Sequence, residues 1–253
     1  MHRRLALLVI LTAAALGACG GGDSDDASSG STTTSTAAGT TTSTASAAAT
    51  TTSAAKKSSS SSASAVALDR LVLVAADFPD GWTASAPDPG NDADDAALAA
   101  CAGSSPPSAD VAELDGQDFG KDEDQISSDA SVVKDDASYS KDMAAIRSSK
   151  FSTCLEDFLT KEIEKDAAGA ETSIDVANLD IPKHGDFALG RRVSVELKAN
   201  GQTLHLFADF VVYGKKRIEL SASFLGFGRP VDTGLRNSLA NKLGARLDAA
   251  PAP

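Results

Sequence analysis

The stretch 191-RRVSVELKANGQTLHLFADFVVYG-214 decides the fold. In its first half Val193, Val195 and Leu197 alternate with Ser194, Glu196 and Lys198. That period of two is the mark of a strand buried on one face, because successive side chains point to opposite sides. Asn200-Gly201 follows. Both residues tolerate positive φ, which makes the pair a strong signal for a two-residue hairpin turn. A turn there fixes the register. Val195 then faces Leu206 and Leu197 faces Leu204 on the core side, while Arg192 meets Asp209, Ser194 meets Phe207 and Glu196 meets His205 on the other.

Outward from this hairpin, Ile218, Leu220, Ala222 and Phe224 repeat the alternation beyond a second turn, YGKKR. A two-residue loop at Gly214-Lys215 would set Phe210 against Glu219. The reading is therefore a three-residue loop, Gly214 to Lys216, pairing Phe210 with Leu220 and Ala208 with Ala222. Further strands are expected from Gln125 to Lys134, from Thr172 to Leu179 and briefly from Trp82. Helices are expected where apolar residues recur at helical spacing. These are Asp92 to Cys101, the turn set Tyr139, Met143 and Ile146, and the stripe Phe151, Cys154, Leu155, Phe158, Leu159 and Ile163. Leu235, Leu239, Leu243 and Leu247 mark another near the C-terminus. Strands joined by tight hairpins and segregated from helices predict an α+β class: an antiparallel sheet, a meander of hairpins, covered by helices.

The remainder of the chain tells where this domain resides. Residues 1 to 18, MHRRLALLVILTAAALGA, carry a basic start and an apolar run too short to span a bilayer, the pattern of a signal peptide. Leu16-Gly17-Ala18-Cys19 matches a lipobox, in which the thiol of Cys19 receives diacylglycerol and becomes the new N-terminus. Two acyl chains bury enough methylenes for stable anchoring, so the expected partner of Cys19 is the outer face of the cytoplasmic membrane or the cell envelope. Residues 19 to 65 are almost wholly Ser, Thr, Ala and Gly and offer nothing to bury. They read as a tether with a reach of roughly 35 to 40 Å. Residues 66 to 250 form the expected single domain.

The 253-residue chain has a net charge of −12, and the excess is local. Residues 66 to 124 hold 14 Asp and Glu against Arg70 and Lys121, whereas 125 to 253 nearly balance. Such a domain repels phosphate backbones, which argues against nucleic acid as a partner. No oligomerisation signal is apparent, and a monomer is expected.

Cys101 and Cys154 are the cysteines left once Cys19 is lipidated. In an exported protein the simplest expectation is that they pair, closing a loop of about 54 residues and stabilising the fold by about 4 kcal/mol in the chain-entropy picture. A buried free thiol, or a catalytic or metal-binding one, is the alternative.

No catalytic motif, metal-ligand spacing or cofactor fingerprint is present: there is no Gly-x-Ser-x-Gly elbow, His-Glu-x-x-His or phosphate loop. DGQDFGKDED, 115 to 124, lacks the carboxylate spacing of a calcium loop and reads as an acidic turn or helix start. Irregular divalent-ion binding there or at 91 to 95 is the alternative. The candidate ligand-binding residues are Arg192, Glu196, His205, Phe207 and Asp209, an aromatic among charges on the non-core face of the hairpin. Plain cross-strand pairing on a solvated or helix-covered face is the competing reading.

The order of DFPDGW, an Ala-rich helix ending in Cys101, an acidic stretch, IRSSKFSTCLEDFL with Cys154, hairpins and a C-terminal Leu helix resembles actinobacterial surface lipoproteins. Their domain is similar to the extracellular sensor domain of mycobacterial serine/threonine kinases. The resemblance implies a non-enzymatic binding or sensing module with a cleft. Those sensor domains carry two disulfides where this one can form a single bond, and no ligand residue is carried over. The expected function is a lipid-anchored binding or sensor-like module for an envelope molecule or protein. A carrier of lipid or another apolar ligand is second, and an envelope hydrolase third.

Overall fold

A computed structural model describes residues 66–88, 90, 92–105, 110–166 and 169–253. The expected signal peptide, Cys19 and the tether lie outside the described residues. Eight strands form one antiparallel sheet: β1 (Thr83–Ser85), β2 (Asp110–Asp115), β3 (Asp118–Lys121), β4 (Asp124–Val133), β5 (Glu171–Leu179), β6 (Phe187–Ala199), β7 (Gln202–Lys215) and β8 (Ile218–Phe227). Their order is β1-β3-β4-β8-β7-β6-β5, with β2 also paired to β4. Among the described residues four α-helices accompany them: α1 (Asp92–Ala102), α2 (Asp136–Arg147), α3 (Ser149–Asp166) and α4 (Thr233–Ala249). The α+β class is as expected. No described helix is long and apolar enough to cross a membrane.

The Asn200-Gly201 turn forms as the sequence dictates, with φ of 52° and 75°. It sets Val195 against Leu206, Glu196 against His205 and Arg192 against Asp209. The second hairpin differs from expectation. Its turn is Lys216-Arg217, with Lys216 at φ 60°, so Phe210 pairs with Ser223 and Ala208 with Leu225. The three-residue loop failed because it assumed a single buried face.

Both faces are buried. On one, Val211, Tyr213, Ile218, Leu220, Ala222 and Phe224 form a core with Leu239, Leu243 and Leu247 of α4. On the other, Val193, Val195, Leu197, Leu206, Ala208 and Leu225 form a core with Leu98 of α1 and Cys154, Leu155, Leu159 and Ile163 of α3. Strand β7 feeds both cores, its even positions one and its odd positions the other. The alternation of β8 therefore answers α4, not the face that Leu206 and Ala208 share.

Asp135 caps α2, accepting from Ser138 N at 2.8 Å, and Asp232 caps α4, accepting from Leu235 N at 2.8 Å. Each meets a backbone donor left open by the first helical turn. Cys101 and Cys154 are joined in a disulfide with Cα atoms 5.9 Å apart, which fastens α1 to α3.

The acidic stretch 115 to 124 holds an acidic turn as expected, at Asp122-Glu123, but it joins two strands. Asp118–Lys121 is strand β3, turning at Asp122 (φ 51°) into β4. Phe119, 1% exposed and 4.1 Å centroid to centroid from Phe78, holds it in the core. One buried aromatic holds a stretch with five carboxylates, of which Asp118 accepts from Asp88 N and Asp124 pairs with Arg229.

Candidate ligand-binding groove

The five residues expected to bind ligand share one face of the β6–β7 hairpin, as the register requires. They divide into two groups. Arg192 donates to both oxygens of Asp209, at 2.6 and 2.7 Å, and Arg236 of α4 donates to Asp209 Oδ2 at 2.8 Å. Asp209 is 1% exposed, and its carboxylate is engaged by two guanidiniums. This triad clips α4 to the sheet, so Arg192 and Asp209 act as structural anchors. Towards the Asn200-Gly201 turn the hairpin is exposed. There Glu196 pairs with Lys198 at 2.6 Å and lies 3.7 Å from His205 Nδ1. The Lys198 hydrogen bond and charge lower the Glu196 pKa, and Phe207 stands half-buried between the groups.

A different surface gathers more chemistry. The sheet face that packs on α1 and α3 is apolar over β5, β6 and β7 but polar over β2, β4 and β8. In β4, Gln125, Ser127, Asp129 and Ser131 point this way, because their neighbours Ile126, Ala130 and Val132 fill the opposite core. In β8, Glu219, Ser221 and Ser223 do likewise, alternating with Ile218, Leu220 and Ala222. The pairing sets Ser127 opposite Ser223, Asp129 opposite Ser221 and Ser131 opposite Glu219. From β2, Glu113 stands opposite Ser131 and Asp115 opposite Asp129.

Exposure falls along this stripe. Gln125 is exposed, Ser127 and Ser223 are half-buried, and Asp129, Ser131 and Glu219 are 6%, 0% and 2% exposed. From Gln125 to Ser131 is six residues, about 20 Å at strand rise. The polar stripe is therefore open at one end of β4 and β8 and buried at the other. Ser127 and Ser223 hydroxyls lie 2.7 Å apart, and Ser221 donates to Asp129 Oδ1.

Helix α2 caps the closed end. Its Asp142, 2% exposed, accepts from Ser105 N at 2.5 Å, which ties the loop after α1 to the same place. Its Tyr139 reaches over Gly214, the cross-strand partner of Glu219. A Cβ at Gly214 would collide with the Tyr139 hydroxyl, so the approach depends on glycine. Burial, with Asp142, Asp110 and Asp129 nearby, pushes the Glu219 carboxyl up to about 8. Burial also raises the Tyr139 phenol to about 12. Glu219 Oε1, Ser131 Oγ and Tyr139 Oη are buried without a hydrogen-bond partner. Buried polar atoms in a folded protein are nearly always satisfied, so three orphans converging on one spot mark a place shaped for something else.

At the open end a cleft of about 580 Å³ is lined by Gly81, Thr83, Gly120 to Gln125 and Phe227. Phe227 lies on the groove's own face, since its even-numbered β7 partner is Leu206. Among the described residues no three His, Cys, Asp or Glu side chains form a group able to hold a metal ion.

The stripe has a sequence signature: 125-QISSDASVV-133 and 218-IELSASFLGF-227 both alternate polar with apolar. Nothing local says that the two strands are neighbours. Searched against protein families and curated proteins, the chain matches none.

Proposed function

We propose that this protein is a binding module of the cell envelope, anchored through lipid on Cys19 and extended on its tether, whose ligand enters at the cleft beside Gln125 and Phe227 and lies over the polar face of β4 and β8. The observation that carries this reading is the convergence of the orphaned Glu219, Ser131 and Tyr139 atoms at the closed end. An unsatisfied buried polar group costs roughly 1 to 3 kcal/mol, and a ligand that supplies its missing partners recovers that cost. The polar lining supports a binder over a carrier of apolar cargo, whose cavity would be lined by Leu and Phe. The apolar half of the same face is already filled by α1 and α3.

In this reading the disulfide fixes α1 to α3 beside the polar stripe, and preorganisation of that kind lowers the entropy lost on binding. The test is native mass spectrometry of the protein purified from its membrane fraction. A discrete added mass that disappears on Ser131→Val is the expected result. A bare protein that also shows no saturable interaction with envelope extract refutes the reading.

A further inference from the structure

The cleft beside Gln125 indicates what kind of ligand this surface takes, an inference that rests on the binding-module reading and deepens it. One missing side chain shapes its floor. Gly120 pairs with Thr83 on one side and Gln125 on the other, and Gln125 pairs with Leu225, two residues before Phe227, so all of these positions share a face. A Cβ at Gly120 would find only the Asp124 carbonyl, at 4.0 Å. Thr83 and Gln125 stand two strand spacings apart, about 10 Å, and the glycine leaves a trough between them. Glycine weakens a strand interior but lets a ligand lie close against the sheet. The cleft of about 580 Å³ that it lines has the size of a small-molecule site.

The lining narrows the ligand by exclusion. An extended peptide binds by adding to a free strand edge, whereas β3 is already paired at this point to β1 and β4. An anion would meet Asp122, Glu123 and Asp124, while the ammonium of Lys121 in the same lining donates to the Asp80 carbonyl at 3.3 Å. An apolar molecule would cover the Gln125 amide and the Thr83 hydroxyl without giving them partners. A bare cation gains little from carboxylates as exposed as Asp122 and Glu123. A neutral ring with hydroxyls on its edge does fit. The Gln125 amide and the Thr83 hydroxyl both donate and accept, and the charge of the Glu123 carboxylate strengthens any hydroxyl hydrogen bond it accepts. Phe227, half-buried against the core under α1 and α3, supplies an aromatic surface for the C–H face of the ring.

We propose that the cleft seats one sugar ring of a neutral glycan, lying over Gly120 against Phe227 with its hydroxyls on Gln125, Thr83 and Glu123, and with the adjoining ring directed over Ser127 and Ser223.

The probes are the neutral trisaccharides of glucose, mannose, galactose and N-acetylglucosamine, with trigalacturonic acid as an anionic counterpart of the same length. In NMR titrations of the full-length protein at least one neutral probe is expected to saturate by ~20 mM, with shifts centred on Gly120, Gln125 and Phe227, and to bind at least tenfold more tightly than trigalacturonic acid. Gly120 is not at positive φ and its Cβ would clash with nothing, so Gly120→Leu fills the trough without straining the fold. It is expected to weaken binding roughly tenfold or more at an unchanged melting temperature. No neutral probe saturating, trigalacturonic acid binding as well as the best of them, or a loss under about threefold in Gly120→Leu each overturns the assignment. If Gly120→Leu does not yield folded, oxidised protein, Thr83→Ala combined with Gln125→Ala is judged by the same thresholds. A discrete envelope ligand still seen by native mass spectrometry when every neutral probe fails would overturn the sugar assignment and leave the binding module in place.

Discussion

Replacing Glu219 with Gln should make the protein more stable, and more so as pH rises. The carboxyl titrates near 4.5 when solvated and is pushed up to about 8 in the folded chain, by burial first and then by Asp142, Asp110 and Asp129. A raised carboxyl pKa means that the folded state holds its proton after the unfolded state has released one. Below about pH 4.5 both states are protonated and the group costs nothing. Between 4.5 and 8 stability falls with each unit of pH, and above 8 the loss is complete. Each unit is worth about 1.4 kcal/mol, so at pH 7 the burden is about 3 kcal/mol, and at pH 5 under about 1 kcal/mol. Glutamine keeps the shape and carries no proton to lose. Urea unfolding of both proteins at pH 5 and pH 7, with the disulfide intact so that the transition stays two-state, measures the gap. A gap that widens by about 2 kcal/mol is expected. A gap that stays constant with pH, or a less stable variant at pH 7, refutes the burial argument.

Other consequences follow from the same contacts. Asp209→Asn leaves the Arg236 side chain, 4% exposed, without its charge partner, and should cost about 3 to 5 kcal/mol in urea unfolding; a loss under about 1 kcal/mol would mean that the triad does not hold α4. His184 Nδ1 donates to Asp248 Oδ2 at 2.7 Å and Nε2 faces Asn241 Oδ1 at 3.2 Å, and its pKa is raised, chiefly by the Asp248 hydrogen bond. The stabilisation is therefore fully present below about pH 6.5 and is lost as pH rises through the folded value. An NMR titration should place His184 above its solvated value, and Gly244→Ala, whose Cβ would collide with that ring, should return it towards normal. Cys101→Ser with Cys154→Ser opens a loop spanning a sequence separation of 53 and should cost about 4 kcal/mol in calorimetry; an unchanged melting temperature would deny the clamp its role.

How much of this was legible in the sequence depends on the range of the contact. The Asn200-Gly201 hairpin could be read to the residue, because a local turn preference and a period of two agree. The next hairpin could not. Nothing in Lys-Lys-Arg advertises that Lys216 adopts positive φ, and β7 alternates between two cores, so no single buried face fixes its partner. Strand β3 was hidden by composition, since Phe119 is the one large apolar anchor within 115 to 124.

The candidate site was harder still. Arg192, Glu196, His205, Phe207 and Asp209 were rightly placed on one face, yet whether a carboxylate there is spare or saturated depends on α4, which contributes Arg236 from 27 residues away. The groove was the reverse case: its residues alternate visibly in each strand, but β4 and β8 lie about ninety residues apart in the chain and only the fold joins them. Glu219, a single acid in a run of Ser and apolar residues, carries its meaning entirely through its neighbours.

The ligand surface over β4 and β8 is the central claim, and backbone chemical-shift mapping of the full-length protein with envelope extract tests it most directly. The account predicts perturbations concentrated on Gln125 to Ser131, Glu219 to Ser223 and the α2 residues Tyr139 and Asp142. Perturbations confined to Glu196, Lys198 and His205, or none with extract in excess, would contradict it.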